Sequence, residues 1–228
     1  MKFIYVAKTE AGLVKKINQD SLLIQHVKYK GKEGLLAVVC DGVGGLEQGE
    51  FASASIVYGL RQWICERVIR QDGYAIEKSL EECLRMWNQK LYTYAKEHHV
   101  RMATTCSLLF IWNGEYIIVH VGDSRIYELQ NNHCIQLTKD QSYHHALLQS
   151  IGYQDNVVME TCREKITGDG FLVCSDGMYR TIQQEELQLR SKTKFQMKQE
   201  LDSLFTLCKE RQETDNISAI WIRIKMYD

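Results

Sequence analysis

Three aspartates stand at the ends of apolar, strand-like stretches of the sequence: Asp41, Asp176 and Asp215. Each is followed by Gly or Asn, which is ordinary turn chemistry, so one such motif alone indicates a turn. Two more carboxylates fit the pattern, since Asp20 enters a strand-like stretch and Asp123 follows another. If these strand ends meet at one edge of the fold, like charges converge and destabilise one another unless cations neutralise them. Oxygen ligands of this kind select hard ions such as Mg²⁺ or Mn²⁺.

The cysteines and histidines do not form a second reactive pattern. The eight cysteines are scattered, without a Cys-x-x-Cys pair or zinc-ligand spacing, and predict buried, reduced thiols. None lies in a Cys-x5-Arg loop, and Ser124 lies outside a Gly-x-Ser-x-Gly elbow. The pairs His98-His99 and His144-His145 lack metal-binding spacing and are predicted to be surface or helix-end residues. The loop Gly42-Val-Gly-Gly45 lacks a Gly-Lys-Ser/Thr ending, which favours close backbone approach to a metal over a phosphate loop.

The elements that must position these carboxylates are mostly strands. Runs of β-type residues predict strands at Lys2–Lys8, Ser21–Lys28, Leu35–Cys40, Thr104–Trp112, Glu115–Gly122, Arg125–Leu129, Cys134–Leu137, Gly170–Cys174 and Ile217–Met226. Apolar residues at helical spacing predict helices at about Glu50–Gln71 and Tyr74–His98, and a polar helix at about Gln183–Arg211. Asn113-Gly114 predicts a tight hairpin. Because strands and helices do not alternate regularly, the order favours an α+β fold with antiparallel sheets covered by helices.

Composition limits the class of protein. The chain has 228 residues, 28 Lys and Arg against 29 Asp and Glu, and no proline. This length predicts a single domain over residues 1–228, large enough to form an ordinary core. The formal net charge of -1 argues against nucleic acid or an anionic membrane as a partner. The N-terminal apolar run is too short for a signal peptide and no stretch has membrane-spanning length, so we expect a cytoplasmic protein.

Seven motifs occur in an order that resembles the protein phosphatase 2C (PPM) family. They are Asn18-Gln-Asp-Ser21, Asp41-Gly-Val-Gly-Gly45 with Gly49-Glu-x-Ala-Ser53, Thr104-Thr105, Gly122-Asp-Ser-Arg-x-Tyr127, Leu137-Thr-Lys-Asp140, Leu172-Val-Cys-Ser-Asp-Gly177 and Asp215-Asn-Ile-Ser218. The match spans about residues 9 to 222. It is most similar to the small bacterial members, in which the His of the Asp-Gly-His motif is absent. In this sequence Val43 stands at that position.

The resemblance implies a four-layer α-β-β-α sandwich with two central antiparallel sheets and a binuclear Mn²⁺ or Mg²⁺ centre at one end. By this resemblance Asp41 bridges both ions and the Gly42 carbonyl binds one of them. Asp176 and Asp215 bind the other ion. Together with Asp41 these two residues form the expected catalytic centre.

The resemblance also implies two outer metal positions. Asp20 acts through metal-bound water, and Asp123 matches a third metal position that it shares with Asp176. An alternative for Asp123 is a turn-forming or salt-bridging role beside Arg125.

Two departures from the family pattern concern the substrate. Lys15 stands where members usually place an arginine, so a bidentate phosphate clamp becomes a single point charge. An alternative for Lys15 is an exposed lysine beside Lys16. The flap that members insert after the Asp140 motif is shortened here, within about residues 138–167.

The implied activity is hydrolysis of phosphoserine and phosphothreonine by metal-activated water. The implied partners are phosphorylated proteins, the products of a Ser/Thr kinase, and the expected state is a monomer. One alternative is a pseudophosphatase, a regulatory module that binds a phosphoprotein without turnover. Another is a phosphohydrolase of small phosphate esters, because no residue in the sequence identifies the substrate.

Overall fold

Two five-stranded antiparallel sheets form the centre of the fold in the computed structural model, which describes residues 1–29, 31–66, 73–131, 133–144 and 146–225. The strands are β1 (Lys2–Glu10), β2 (Ser21–Tyr29), β3 (Lys32–Cys40), β4 (Cys106–Trp112), β5 (Glu115–Val121), β6 (Arg125–Gln130), β7 (His133–Gln136), β8 (Ser142–Tyr143), β9 (Ala146–Leu147), β10 (Glu160–Lys165), β11 (Gly170–Cys174) and β12 (Ile217–Lys225). One sheet has the order β1-β12-β11-β6-β7 and the other β10-β5-β4-β3-β2, while β8 and β9 pair separately.

Within the described residues, four helices lie outside the sheets: α1 (Gly49–Glu66), α2 (Gly73–His98), α3 (Asp176–Tyr179) and α4 (Lys194–Glu210). A 3-10 turn at Gln184–Glu186 precedes α4. Among the helices that the structure describes, none combines the length and apolar character of a membrane-spanning segment.

The side chains of β3 show how the layers are stacked. Leu35, Ala37 and Val39 belong to the apolar cluster between the two sheets, which they share with β11 and β12. The alternate residues of β3 join the cluster beneath α1 and α2. Since side chains of a strand alternate between its faces, β3 is covered on both sides.

The outer face of the β1-β12-β11-β6-β7 sheet packs against α4. Leu172 and Trp221 join Leu201 and Phe205 of α4 in a third apolar cluster. The three clusters separate four layers, α-β-β-α, which confirms the fold expected from the sequence.

The Asn113-Gly114 hairpin is also confirmed. Both turn residues have positive φ, 55° and 85°, and they join β4 to β5 in register. The first predicted helix agrees as far as Glu66, but its predicted end lies outside the described residues, as does Met226 at the end of the last strand.

The prediction of one helix over residues 183–211 is wrong. The helix α4 begins at Lys194, where the Thr193 hydroxyl accepts a hydrogen bond from the backbone N of Gln196. The preceding segment buries Leu187 and Leu189 against the sheet and is held there by Arg223, which donates to the Leu189 carbonyl. Because these leucines are buried against the sheet, the residues before Lys194 do not continue the helix that was predicted from their polar composition.

The sequence also missed three short strands. β8 and β9 have two residues each, and β10 is an edge strand with mostly charged residues that pairs with β5. Edge strands carry such residues because one side faces solvent, which removes the apolar pattern used for prediction.

Candidate metal centre

A cleft of about 450 Å³ lies at the edge of the sandwich where the strand ends meet. Four aspartates and two cationic side chains line it: Asp41, Asp123, Asp176, Asp215, Lys15 and Arg180. The residues come from segments far apart in sequence, so the sheet topology brings them together. The convergence predicted from the strand ends is therefore present.

Asp41 follows the last residue of β3. Its backbone N donates to the Thr105 hydroxyl at 2.9 Å, and its carbonyl accepts from the backbone N of Thr105 at 2.8 Å. Burial raises the pKa of the Asp41 carboxyl well above its usual range, and the neighbouring aspartates, Asp20 first among them, add to the increase. Asp41 is thus rigidly held in a site that disfavours its own negative charge.

Gly42 lies where the chain approaches two other backbone segments. A Cβ at this position would lie 2.6 Å from the carbonyl oxygens of Gln19 and Gly49. The backbone N of Gly42 donates to the Gln19 carbonyl at 3.1 Å. Only glycine fits here without moving backbone, and this close packing fixes the peptide that follows Asp41.

Asp20 is buried at the start of β2, close to the other carboxylates. The Ser175 hydroxyl donates to its Oδ2 at 3.0 Å, while its Oδ1 is buried without a hydrogen-bond partner. Burial raises the pKa of Asp20 to about 7; the hydroxyls of Ser218 and Ser175 oppose this rise, and the nearby Asp176 adds to it. A buried acceptor without a partner is costly, so this oxygen calls for a bound cation or a proton.

Asp176 begins the single helical turn α3 and is separated from the end of β11 by Ser175. Its Oδ2 lies 2.5 Å from an Nη atom of Arg180, four residues later, and its Oδ1 is buried without a partner. Burial raises the pKa of the Asp176 carboxyl, and Arg180 opposes that effect.

Asp123 is buried in the turn between β5 and β6. Burial raises its pKa to about 6; the charge of Asp176 adds to the increase and that of Arg180 reduces it. Arg125, the suggested ion-pair partner, instead binds both carboxylate oxygens of Asp140, at 3.0 and 2.7 Å. Its guanidinium also stacks on the ring of Tyr179 at 3.6 Å.

Lys15 and Asp215 both line the cleft and form an ion pair with each other. The Lys15 Nζ lies 3.3 Å from the Asp215 Oδ1. The side chain of Asn216 holds the Lys15 segment in place, because its Nδ2 donates to the carbonyls of Ala11 and Ile17. The lysine is therefore positioned beside the acidic centre.

Three residues have contacts at the site that no motif in the sequence predicted. Arg180 pairs with Asp176, Asn216 holds the Lys15 segment, and Glu213 accepts hydrogen bonds from the backbone N atoms of Thr214 and Asp215. The spacing of four residues between Asp176 and Arg180 was the available signal, since residues i and i+4 share a helix face.

The donor set fits hard divalent cations. It consists of carboxylates and backbone carbonyls, and two of its buried carboxylate oxygens, on Asp20 and Asp176, have no hydrogen-bond partner. Within the described ranges, no three acidic, His or Cys side chains already surround one point at ligand distance. The carboxylates instead lie beside Arg180 and Lys15, which reduce their repulsion.

Comparison with known proteins decides the family. A family model described as protein phosphatase 2C matches residues 13–220. The chain belongs to the protein phosphatase 2C family. The serine/threonine phosphatase stp of Listeria innocua is 26% identical over 238 residues, which cover 94% of this chain and 93% of the relative. A putative protein phosphatase of Mycoplasma genitalium is 27% identical over 262 residues, covering 98% and 96%.

A solved structure supports the same fold. The serine/threonine phosphatase Stp1 from Staphylococcus aureus superposes with a TM-score of 0.88 at 23% identity, covering 99% of this protein phosphatase 2C chain and 96% of the other. At this identity the likeness concerns the fold.

The raised pKa of Asp20 predicts a pH dependence of stability in chelator. Because its folded pKa lies above the unfolded value, Asp20 stabilises the fold at low pH, and that contribution is lost as pH rises from about 4 through about 7. Asp20→Asn keeps an acceptor for Ser175 and removes the charge. Its free energy of unfolding, measured in urea, should therefore rise relative to the parent between pH 4 and pH 8, by up to about 4 kcal/mol.

The matched control is Asp155→Asn, at an exposed position away from the cleft. It should leave the pH profile unchanged. A difference between Asp20→Asn and the parent that is constant with pH would show that the Asp20 charge carries no folding cost.

Proposed function

We propose that the chain is a metal-dependent protein serine/threonine phosphatase that hydrolyses phosphoserine and phosphothreonine with water as nucleophile. The observation that carries the proposal is the convergence of Asp20, Asp41, Asp123, Asp176 and Asp215 from strand ends and turns. Two of these side chains have a buried oxygen without a partner. The relatives named serine/threonine phosphatase over nearly their full length support the same reaction.

Two Mn²⁺ or Mg²⁺ ions are the proposed cofactors. Asp41 and the Gly42 carbonyl would hold one ion, and Asp41, Asp176 and Asp215 would hold the other, with Asp20 contacting the centre through water. Ions bound there would supply an activated water and neutralise the charge of the transferring phosphoryl group. The protein's own contribution is to hold these carboxylates rigidly on paired strands and to keep them close together despite their repulsion.

Lys15 is the proposed phosphate-binding side chain. Its Nζ lies at the cleft, beside Asp215. The ammonium also lies close to Gly44, because a Cβ added to that glycine would be only 2.8 Å from the Nζ atom. A phosphoryl oxygen at this edge would receive a charge-assisted hydrogen bond from the ammonium. The lysine would orient the substrate, while Asp215 keeps the ammonium in place before the substrate arrives.

The short flap supports a protein substrate. β8 and β9 form a two-stranded ribbon, and the Ala146 and Leu147 residues of β9 line the cleft. His145, one of the predicted surface histidines, lies outside the described residues. Because each strand of this ribbon has only two residues, the cleft would be accessible to a phosphorylated residue that belongs to a larger chain. We propose that residues 1–228 act as one monomeric domain in the cytoplasm, on proteins phosphorylated by a Ser/Thr kinase.

The proposal predicts metal-dependent hydrolysis with a preference among phosphopeptides. The purified chain should release phosphate from phosphoserine and phosphothreonine peptides in Mn²⁺, with little release from phosphotyrosine peptides and none in excess chelator. Asp41→Asn should reduce kcat by about 100-fold or more, because removing one ligand weakens both ion positions. Phosphate release in a colorimetric assay measures both effects.

Asp155→Asn serves as the carboxylate control and should retain full activity. Undiminished hydrolysis in chelator would contradict the metal-dependent reaction. Metal and phosphopeptide binding without turnover would identify a pseudophosphatase instead, and hydrolysis of free phosphate esters alone would identify a small-molecule phosphohydrolase.

The placement of Lys15 predicts an effect on substrate binding. Lys15→Ala should raise KM more than it lowers kcat. The loss in kcat/KM should correspond to about 1–3 kcal/mol, the range for removing one partner of a hydrogen bond. Lys15→Arg should lower KM for phosphopeptides, because a guanidinium offers two parallel donors. Steady-state kinetics with a phosphothreonine peptide measure both changes.

Lys16→Ala is the matched control, since Lys16 is the exposed neighbour of Lys15 in the same segment. If Lys15→Ala and Lys16→Ala both leave KM at the parent value, Lys15 is a surface residue and takes no part in phosphate binding.

A further inference from the structure

His120 is a buried, titratable side chain that the proposed reaction does not use. It lies near the end of β5 that leads to Asp123, and its side chain is fully buried. Tyr116 and Ile118, which share its face of the sheet, belong to the apolar cluster between the two sheets. The layer between the sheets therefore changes from apolar to polar just before the chain reaches the carboxylates.

The hydroxyl of Ser107 links the ring of His120 to the turn that follows β5. Ser107 lies directly opposite His120 on β4. Its Oγ lies 2.9 Å from the His120 Nδ1 and donates to the Ser124 carbonyl oxygen at 2.7 Å. Since a carbonyl oxygen only accepts and a hydroxyl has one proton, the Ser107 proton is used by Ser124. The Nδ1 atom of His120 must therefore carry a proton of its own and donate it to Ser107.

The second ring nitrogen of His120 is then an acceptor. Nε2 is buried, and it has no hydrogen-bond partner in the part of the chain that the structure describes. Burial lowers the pKa of His120, although Glu160, opposite it on β10, reduces the decrease. The structure thus favours a neutral ring with its proton on Nδ1, whereas free histidine in water holds its proton mostly on Nε2.

The turn after β5 is anchored on both sides of Asp123. Before it, the backbone N of Gly122 donates to the Gln141 Oε1 at 2.9 Å, and the Gly122 carbonyl accepts from the backbone N of Gln141 at 2.8 Å. After it, the Ser124 carbonyl is held by the Ser107 hydroxyl. The bond from Ser107 is therefore one of the two anchors of the segment that carries this carboxylate.

The same turn is hydrogen-bonded to the segment of Asp41. The hydroxyls of Ser124 and Thr105 lie 2.8 Å apart, and the Thr105 hydroxyl accepts from the backbone N of Asp41 at 2.9 Å. A continuous path thus leads from His120 through Ser107, Ser124 and Thr105 to Asp41. The four side chains before Asp41 are all buried, so water does not compete for these bonds.

We propose that His120 is a positioning residue of the metal centre: by orienting the Ser107 hydroxyl, it fixes the turn that carries Asp123 and, through that turn, the backbone at Asp41. The inference rests on the proposed function, because it takes Asp41 as a residue that binds metal. His120 contacts no substrate and transfers no proton. Its contribution is to keep two carboxylates in place although they repel each other.

The tautomer of His120 is tested by NMR. The full chain, labelled with ¹⁵N-histidine and stripped with chelator, is measured at pH 7.5 in a long-range ¹H–¹⁵N correlation spectrum. The signals of His120 are those that disappear in His120→Asn. They should show a neutral ring protonated on Nδ1. A ring protonated on Nε2, or on both nitrogens, would contradict the inference, because neither is consistent with a role set by the bond from Nδ1 to Ser107.

The positioning role is tested by the affinity for Mn²⁺. Calorimetry on the stripped chain should show that His120→Leu weakens Mn²⁺ binding by about 10-fold or more, the range for residues that hold metal ligands in place. The Mn²⁺ concentration for half-maximal hydrolysis of a phosphothreonine peptide should rise in parallel, while KM at saturating Mn²⁺ stays at the parent value. His120→Asn should keep the parent affinity, because its amide nitrogen can replace Nδ1 as the donor to Ser107.

Three variants serve as matched controls. His120→Gln carries the same amide one bond further from the backbone, nearer the place of Nε2, and should weaken Mn²⁺ binding as His120→Leu does. Ser107→Ala should have the same effect, and the double variant with His120→Leu should lose no more, since the two residues act as one unit. His26→Leu removes an exposed histidine from the middle of β2 and should change nothing.

Circular dichroism and urea unfolding establish that each variant folds. A folded His120→Leu with the parent affinity for Mn²⁺ would show that His120 contributes to stability alone and would overturn the inference. So would a His120→Asn that binds Mn²⁺ as weakly as His120→Leu. If His120→Leu does not fold, the ring tautomer and the opposite effects expected for His120→Asn and Ser107→Ala decide the question.

These results leave the proposed function intact, since they concern only how Asp41 and Asp123 are held. A parent chain that binds no Mn²⁺, or that hydrolyses phosphopeptides equally well in chelator, would overturn the proposed function and this inference with it.

Discussion

Repulsion among buried carboxylates is the constraint on which the rest of the site depends. Burial raises the pKa values of Asp20, Asp41, Asp123 and Asp176, so the fold holds each carboxyl where its charge is unfavourable. The residues cannot move apart, because Asp41 directly follows β3, Asp176 lies two residues after the last residue of β11, and both strands are paired on both sides. Lys15 and Arg180 offset part of the cost. Bound cations would remove the remaining cost of the carboxylate repulsion and would therefore stabilise the fold.

The apolar core supplies the rigidity that this arrangement needs. β3 and β11 are buried on both faces, between the partner sheet on one side and helices on the other. A rigid, close-packed interior limits how far a strand end can shift when charges repel. The site is thus placed at the edge of the most tightly packed part of the molecule, while the short β8–β9 ribbon beside it is held by few pairs.

The sequence predicted what depends on local pattern. The positions of Asp41, Asp176 and Asp215 could be recognised because apolar runs end just before the first two and one begins just after the third. The Asn113-Gly114 turn could be recognised because few residue pairs adopt positive φ at both positions. What it missed depends on tertiary contacts. The segment before α4 is extended because Leu187 and Leu189 are buried, and β10 is a strand because β5 offers it a free edge. Arg180 has no motif, and its importance follows only from where Asp176 is placed.

The free energy of unfolding as a function of free Mn²⁺ tests the central claim most directly. If the fold pays for clustered carboxylates that two ions then bind, urea unfolding of the chelator-stripped chain at pH 7.5 should show stability rising with Mn²⁺. Above the dissociation constants the increase should be about 2.7 kcal/mol per tenfold rise in Mn²⁺, about 1.4 for each ion. Stability that does not change with Mn²⁺, or that changes equally with K⁺ at the same ionic strength, would contradict the account.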